Sequence, residues 1–518
     1  MLDIKTFPFS ESGIQQMRKS PNAIDWPIVY LIENGKDLYV GETIHASART
    51  KQHLENPERK TLKTIHVISD DEFNKSATLD AESSLIEYFA ADGKYSLQNG
   101  NGGLQNHDYF DREKYQAKFE VLWEKLREMH IAQHSLFHIR NTDLFKYSPY
   151  KTLTDDQYFL ATYLLADLTA DVERRYLIHG GPGTGKTILA IYIVKQLVEQ
   201  GKKNVALVIA MTSLRNTLKK VFRAVPGLRS DMVIGPNDVT KRHYDTLIVD
   251  EAHRLRRRRN IPNYASFDQT NKRFGLGTEG TELDWISRSA KQVILFFDEN
   301  QSVRPSDIPV EVIKSSAETH FRLSAQIRVQ GGEEYIHFVD NILEVKPAEY
   351  VQVAKYDFQI FEDISEMIRE LKEKEKIHGL CRLVAGYAWE WVSRDDAKTP
   401  DIIIGNTKLF WNSTIQDWVN SPNAINEVGC IHTIQGYDLN YAGVIVGPEV
   451  TFDASRNCIV IKKEEYRDAN GYRGIVDQEE LKRYIINIYK TLLTRGILGT
   501  YVYIVDPDLR RYFQSTLR

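Results

Sequence analysis

The chain has 518 residues, 42% of them hydrophobic and 27% charged, a composition that excludes a disordered or collagen-like polymer and predicts about three or four domains. Its 67 Lys and Arg against 71 Asp and Glu leave a formal charge of −4, so a polyanion-binding surface has to be local and not a property of the whole chain. Three cysteines, Cys381, Cys430 and Cys458, form neither a disulfide framework nor paired zinc ligands, and with no membrane-length apolar run and no leader-like start in MLDIKTFPFS the expectation is a cytoplasmic protein, neither secreted nor membrane-spanning.

From Pro27 to Asn101 short β-branched runs (IVYLI, LYVGE, TIHVI) precede a helical stretch around AESSLIEYFA, and Asn34-Gly35 and Asp92-Gly93 mark turns. Residues 1–105 therefore read as a small α/β domain. With 11 Lys and Arg against 15 Asp and Glu, that domain cannot hold a polyanion by net charge. Tyr39 to Arg49 is ten residues and Arg49 to His53 is four, which puts Arg49 and His53 on one face of the helix after the hairpin.

IVYLIENGKDLYVG at 28–41 resembles the paired strands of GIY-YIG endonucleases, with Tyr30 in the first triplet and Tyr39, Val40 and Gly41 as the second. Glu82, in an E-x-x-L-I helix, resembles the metal-binding segment, and Asn99 of YSLQNGN the closing amide, with Asn101 two residues away. The resemblance implies Mg2+-dependent phosphodiester hydrolysis. Tyr30, with Tyr39 or His53 beside it, would take the proton of water, Arg49 would clamp the phosphate, and one Mg2+ on Glu82 would stabilise the leaving oxygen. The first triplet reads IVY where the family has Gly-Ile-Tyr, and a tyrosine in a strand is usually there for packing, so neither tyrosine alone marks the site.

Residues 108–134 place Phe119, Leu122, Trp123 and Leu126 at helical intervals, an amphipathic connector within 106–150. From about Lys151 strands and helices alternate: YLIHG, TILAIYIVKQLVEQG, VALVIA, TLIVDEA and QVILFFDE, then DIIIG, YAGVIVG and TYVYIV. Such apolar strands predict buried parallel sheets, and the length favours two in tandem, a first lobe over 151–315 and a second over 316–518.

GGPGTGKT at 180–187 fits G-x-x-x-x-G-K-[ST], with a strand before it and a helix after. The backbone of Gly181, Pro182, Gly183, Thr184 and Gly185 would encircle phosphate, Lys186 would reach the β- and γ-phosphates, and Thr187 would hold Mg2+. LIVDEAHR at 247–254 ends a strand in two carboxylates: Asp250 for Mg2+ and Glu251 to polarise the attacking water. Hydrolysis of ATP is the expected chemistry.

Across 151–518 the order of motifs resembles superfamily 1 helicases, specifically the Schlafen-like DNA/RNA helicase domain family, which implies two RecA-like lobes. The resemblance makes Gln157 of LTDDQ the adenine reader and AMTSLRNTL at 210–218 a strand-contacting segment. It makes Gln301 of FFDENQ a γ-phosphate sensor, and it assigns Gly436 to HTIQGYD, the segment that couples nucleotide to strand. Arg328 of LSAQIR and Arg495 of YKTLLTRG become arginine fingers, donors that reach the phosphoryl group when the lobes close. Gln326 and Ile327 stand where the family has Asn-Tyr, so an aromatic partner for adenine is missing there. RLRRRR at 254–259 is either a phosphate grip or a solvated loop.

The expected fold is thus a small GIY-YIG α/β domain followed by two tandem RecA-like parallel-sheet lobes. The expected function is an ATP-dependent motor fused to an endonuclease, with ATP and Mg2+ as cofactors and nucleic acid as partner, DNA before RNA, in defence against foreign (phage) DNA or in repair. The alternatives are an NTP-gated nucleic-acid-binding switch with an inactive nuclease domain and an RNA-directed nuclease-helicase.

Overall fold

The β-branched runs at the amino terminus pair into a five-stranded sheet. Its strands are β1 (Asp3–Pro8), β2 (Ile28–Glu33), β3 (Asp37–Thr43), β4 (Thr64–Ser69) and β5 (Ser96–Leu97), in the order β1-β4-β2-β3-β5. The computed structural model describes residues 2–19, 26–99, 112–170, 172–326, 328–347, 356–414, 417–434 and 436–517. These fall into one unit of residues 1–167, 191–199 and 220–230 and another of 168–190, 200–219 and 231–518.

In the first unit β2 pairs antiparallel with both β3 and β4, and the β2–β3 hairpin turns at Asn34 and Gly35, where Gly35 takes φ +83°. Helices α1 (Glu11–Met17) and α2 (Ala46–Glu55) cover the face that carries Ile28, Tyr30 and Ile32. Helix α3 (Lys75–Asp92) packs against β2 and β3. It starts where the Asn74 side chain accepts the Ala77 N–H and stops where Gly93 enters the left-handed region at φ +70°. The helical period read over 108–134 gives α4 (Arg112–Glu128); residues 108–111 lie outside the described ones. Trp123 of α4 is fully buried, with its ring 4.9 Å from Phe89 of α3, so this helix is a packed layer of the first unit.

The second unit holds two parallel sheets. The first consists of β6 (Arg174–Gly180), β7 (Val205–Ile209), β8 (Val233–Ile234), β9 (Tyr244–Asp250), β10 (Ala290–Phe297) and β11 (Thr319–Leu323), in the order β11-β6-β10-β9-β7-β8. Its pairings are parallel, and β7 is buried at every residue, as a strand covered on both faces has to be. The second sheet runs β12 (Asp357–Phe361), Gly496–Ile504, Leu439–Val446, β13 (Cys381–Ala385), Val428–Cys430, again parallel.

YAGVIVG and TYVYIV are core strands of that sheet, as their texture predicts, but DIIIG is not. Ile402–Ile404 folds back on Thr407–Leu409 as a separate antiparallel hairpin that turns at Gly405, and Ile403 is exposed. The turn at Gly405 reverses the chain after three residues, so the segment pairs with its own continuation and not with the sheet. Among the described residues no helix is long and apolar enough to cross a membrane.

Candidate functional site

The glycine loop joins β6 to the helix Lys186–Glu199. Gly183 at φ +81° and Gly185 at φ +74° give it a curvature that a side chain would oppose. Lys186 Nζ donates to the carbonyls of Gly180 (2.7 Å) and Gly181 (2.8 Å) and lies 3.6 Å from Asp298 at the end of β10. Thr187 Oγ1 donates to Asp250 Oδ2 at 2.6 Å, so the predicted hydroxyl and carboxylate for a cation meet. Burial, and then Glu251, push Asp250 up to about 7, which a bound Mg2+ would reverse.

Glu251 has φ +55°, a strained value for a non-glycine residue. Its burial works to raise its carboxyl, yet His253, with Nε2 at 2.8 Å from Glu251 Oε2, holds it well below the usual range. Because His253 Nδ1 accepts the Asp298 N–H at 3.3 Å, the ring proton sits on Nε2. Sequence reasoning passed over His253 and Asp298. Both stand inside quoted motifs, so that adjacency was the available signal.

From Asp298 a chain of polar contacts leads to the second sheet. Gln301 Nε2 donates to Asp298 Oδ2 at 2.7 Å, and Arg495 donates to Gln301 Oε1 (3.4 Å) and to the Tyr437 carbonyl (3.3 Å). Gln301 and Arg495 therefore meet, as the motif order suggests. Arg328 instead pairs with Asp438, Nε to Oδ1 2.7 Å. Its neighbour Gln326 fills the place of the missing Asn-Tyr pair in another way: its Nε2 donates to the Pro182 carbonyl, while its Oε1 accepts the N–H groups of Arg328 and Val329. A Cβ on Gly183 would fall 2.1 Å from that oxygen. Ile327 lies outside the described residues.

Gly436 packs elsewhere: at φ +83°, a Cβ there would fall 3.0 Å from Met211 and 3.1 Å from Leu214, within AMTSLRNTL at 210–218. Gln157 belongs to the first unit, where Gln157 Oε1 accepts the Thr154 N–H at 3.1 Å and Thr154 Oγ1 accepts the Gln157 N–H, a reciprocal helix cap.

The arginine run is engaged by the protein itself. Arg254 meets Asp307 at 3.4 Å, Arg256 meets fully buried Glu282 at 2.7 Å, Arg257 donates to the Pro305 carbonyl, and Arg258 meets Asp268 at 2.6 Å. Arg259 reaches Glu480 (3.3 Å) and the Gly474 carbonyl, and Asn260 donates to the Arg473 carbonyl. The run straps the two sheets of the second unit. Its partners lie 10 to 221 residues away in sequence, which hides them from a linear reading.

In the first unit the hairpin and α2 bring Tyr30, Tyr39, Arg49 and His53 together. Tyr30 Oη lies 2.7 Å from His53 Nε2, and the Tyr39 ring lies 6.3 Å from Tyr30 and 5.0 Å from His53. Burial, and then Tyr39, raise the Tyr30 phenol well above its usual range, so it keeps its proton beside the imidazole. A Cβ on Gly41 would fall 2.3 Å from Tyr30 Oη, which explains the glycine opposite this tyrosine. The hydrogen bond with Tyr30 raises the Arg49 guanidinium further, so it stays charged beside both phenols.

Glu82 on α3 is pushed up to about 7 by burial and next by Glu42, with the charges of Lys75 and Arg49 opposing. Glu42, the residue after Gly41, is the second carboxylate that sequence reasoning missed. Two carboxylates that repel fit a divalent cation, although Glu42 is paired with Lys75 and accepts from Thr78 at 3.4 Å, and among the described residues no three metal-ligating side chains gather. Asn99 does not join the cluster: Oδ1 accepts the Val40 N–H (3.0 Å) and Nδ2 donates to the Val40 carbonyl (2.8 Å), so it extends the β3–β5 pairing in place of a backbone unit. Asn101 lies outside the described residues.

A model of the Schlafen group 3 DNA/RNA helicase domain matches residues 173–506. An uncharacterized protein of Saccharomyces cerevisiae is 31% identical over 312 residues, which span 53% of this chain and 66% of that protein, just under two thirds of its length. Among solved structures, Pif1 helicase from Bacteroides in complex with ADP-AlF3 and ssDNA is 14% identical over 68% of this chain and 92% of that one, with a TM-score of 0.28. Domain III of the Thermotoga maritima replication initiation protein DnaA is 15% identical over 44% and 87%, with a TM-score of 0.22.

Proposed function

Because the chain belongs to the Schlafen group 3 DNA/RNA helicase domain family, we propose that it is an ATP-driven superfamily 1 motor on nucleic acid that carries a Mg2+-dependent GIY-YIG endonuclease. In this reading residues 1–105 are the nuclease, 106–150 the link, 151–315 and 316–518 the two RecA-like lobes. The observation that carries the motor is the continuous path from Thr187 and Asp250 through Lys186, Asp298 and Gln301 to Arg495. It ties the phosphate loop to a guanidinium on the other sheet, which is how hydrolysis becomes movement.

Mg2+ on Thr187 and Asp250 would neutralise the phosphates, and Glu251, held ionised by His253, would polarise the attacking water. Arg328 has to leave Asp438 before it can reach a phosphate, so its pairing marks the resting state.

The nuclease reading is supported by the meeting of Tyr30, Tyr39, Arg49 and His53 at the hairpin. Since Tyr30 holds its proton, water is activated by relay: Tyr30 accepts from water as it gives its own proton to His53. Arg49 would clamp the phosphate, and Glu82, with Glu42, would hold a cation whose chemistry is to stabilise the leaving oxygen. DNA is the preferred substrate, RNA the second choice, and restriction of foreign (phage) DNA the role such a fusion suits.

The test is incubation of the purified protein with plasmid DNA and labelled RNA in Mg2+, with and without ATP, beside Lys186→Ala and Glu82→Ala. The reading expects nucleic-acid-stimulated ATP hydrolysis that Lys186→Ala removes and cleavage that Glu82→Ala removes. Cutting that persists in Glu82→Ala would refute the metal carboxylate. Absence of cutting by the wild type, with hydrolysis intact, would leave the NTP-gated binding switch.

A further inference from the structure

Three basic side chains gather in the second unit at the carboxyl ends of its two parallel sheets, the edge at which open α/β sheets bind ligands. Arg254 closes the turn after β9, Arg304 stands three residues beyond Gln301, and His432 lies on the short helix Ile431–Ile434 that follows the strand Val428–Cys430. Arg254 and Arg304 share Asp307, whose Oδ2 accepts from Arg254 Nη1 at 3.4 Å and from the Arg304 N–H at 3.1 Å. That oxygen also accepts from the Val303 N–H (3.0 Å) and from Ser302 Oγ (3.4 Å), so it has no capacity left. Among the described residues Arg254 Nε and Nη2, Arg304 Nε and His432 Nδ1 are nonetheless buried with no hydrogen-bond partner, and Arg254 is only 7% exposed. A buried guanidinium with open N–H groups is costly until something answers it.

The three groups feel one another. Burial lowers the Arg254 guanidinium, Asp307 and Glu251 oppose it, and Arg304 lowers it again. Burial, and then Arg304, lower His432 as well, with Asp468 opposing, so its ring is neutral. Burial works to raise Asp468, yet His432 and Arg304 hold it down at about 2. Its carboxylate is therefore an acceptor only, and His432 Nε2 donates to Asp468 Oδ2 at 2.7 Å. The ring proton sits on Nε2 and Nδ1 keeps its lone pair. Open guanidinium donors beside an open imidazole acceptor suit an anion that also carries a proton. Hydrogen phosphate has both, whereas sulfate and the phosphodiester of a nucleic-acid backbone have no O–H to give at neutral pH.

Resting on the reading of the chain as an ATP hydrolase, we infer that Arg254, Arg304 and His432 form a second phosphate site, apart from the glycine loop, that takes the hydrogen phosphate released by hydrolysis. The Arg254 N–H donates to the Glu251 carbonyl at 2.8 Å, so the site begins one short turn beyond the carboxylate that would polarise water. At His432 it reaches solvent: the side chain is 23% exposed, and Tyr387, 6.3 Å from the imidazole, lines a cavity of about 600 Å3. Phosphate thereby gains an exit at His432.

The experiment fills the glycine loop of the full chain with a non-hydrolysable ATP analogue and Mg2+, then measures binding of radiolabelled orthophosphate by equilibrium dialysis. It compares the wild type with Arg304→Gln and Arg304→Lys. The expected result is one phosphate per chain, bound about tenfold or more weakly by Arg304→Gln and regained in part with Lys, while affinity for the analogue stays at the wild-type value. Sulfate and dimethyl phosphate should compete at least about tenfold more weakly than unlabelled phosphate. Because Gln removes a buried open N–H, Arg304→Gln should melt no lower than the wild type in phosphate-free buffer; a lower melting point would show the guanidinium answered within the fold and overturn the site. No phosphate on the wild type, equal binding by Arg304→Gln, or binding that vanishes once the analogue fills the loop would overturn the second site and leave the ATP hydrolase reading intact. Displacement by dimethyl phosphate or oligodeoxythymidine as strong as by phosphate itself would overturn it by giving the site to the strand backbone. Failure of the wild type to bind the analogue would overturn both readings.

Discussion

At neutral pH the Glu82 carboxyl is divided between its two charge states, because burial and Glu42 push it up to about 7. An unfolded chain gives up that proton near the ordinary value of 4.5. The folded state therefore binds the extra proton between those values, so this group's contribution to stability is full below about 4.5 and is lost as pH rises through about 7. Glu82→Gln should accordingly melt above the wild type at pH 8, by on the order of 1 kcal/mol after allowance for solvent, and match it near pH 5, as thermal denaturation at the two pH values would show. The same substitution should abolish Mg2+-dependent cleavage, and wild-type cleavage at limiting Mg2+ should climb from about pH 6 to about pH 8 as the carboxylate ionises. Gln301 makes a different prediction. Gln301→Ala removes the link between Asp298 and Arg495, so kcat for ATP should fall roughly 10- to 100-fold while KM changes little, a split that steady-state kinetics resolves.

Among the elements, the hairpin β2–β3 and the glycine loop were legible in the sequence, since each sets its chemistry by fixed spacing along a short segment: Tyr30 opposite Gly41, Arg49 one turn before His53, and Lys186-Thr187 opening a helix. Glu42 and the strap were not, because their meaning comes from a partner across the fold. Glu42 matters through Glu82, forty residues on, and Arg256 through Glu282, which lies fully buried in the helix Glu282–Ser289. Asn99 shows the converse: its type and place matched a motif, yet its amide is engaged on both sides by the backbone of Val40. The strap gives a stability prediction. Arg256→Ala strips the partner from a buried carboxylate and should cost about 2–3 kcal/mol, measurable by denaturant unfolding, with the smaller loss in the double variant Arg256→Ala and Glu282→Gln.

For the whole molecule, the question is whether the two chemistries answer to one another. The tyrosine cluster belongs to the first unit and the phosphate loop to the second. If cutting needs only its own residues, Lys186→Ala should abolish ATP hydrolysis and leave Mg2+-dependent nicking of plasmid within about twofold of the wild type; parallel loss of both would show that hydrolysis licenses the cut.

The strap also bears on how the molecule meets a polyelectrolyte. Four of the five arginines in its densest basic stretch are already paired, with Asp307, Glu282, Asp268 and Glu480, in a chain whose sum is −4. Such a particle generates little far-reaching attraction, so it should elute early from heparin. Its arrival at a polynucleotide should be paced by short-range fit, with collision rates nearly insensitive to added potassium chloride.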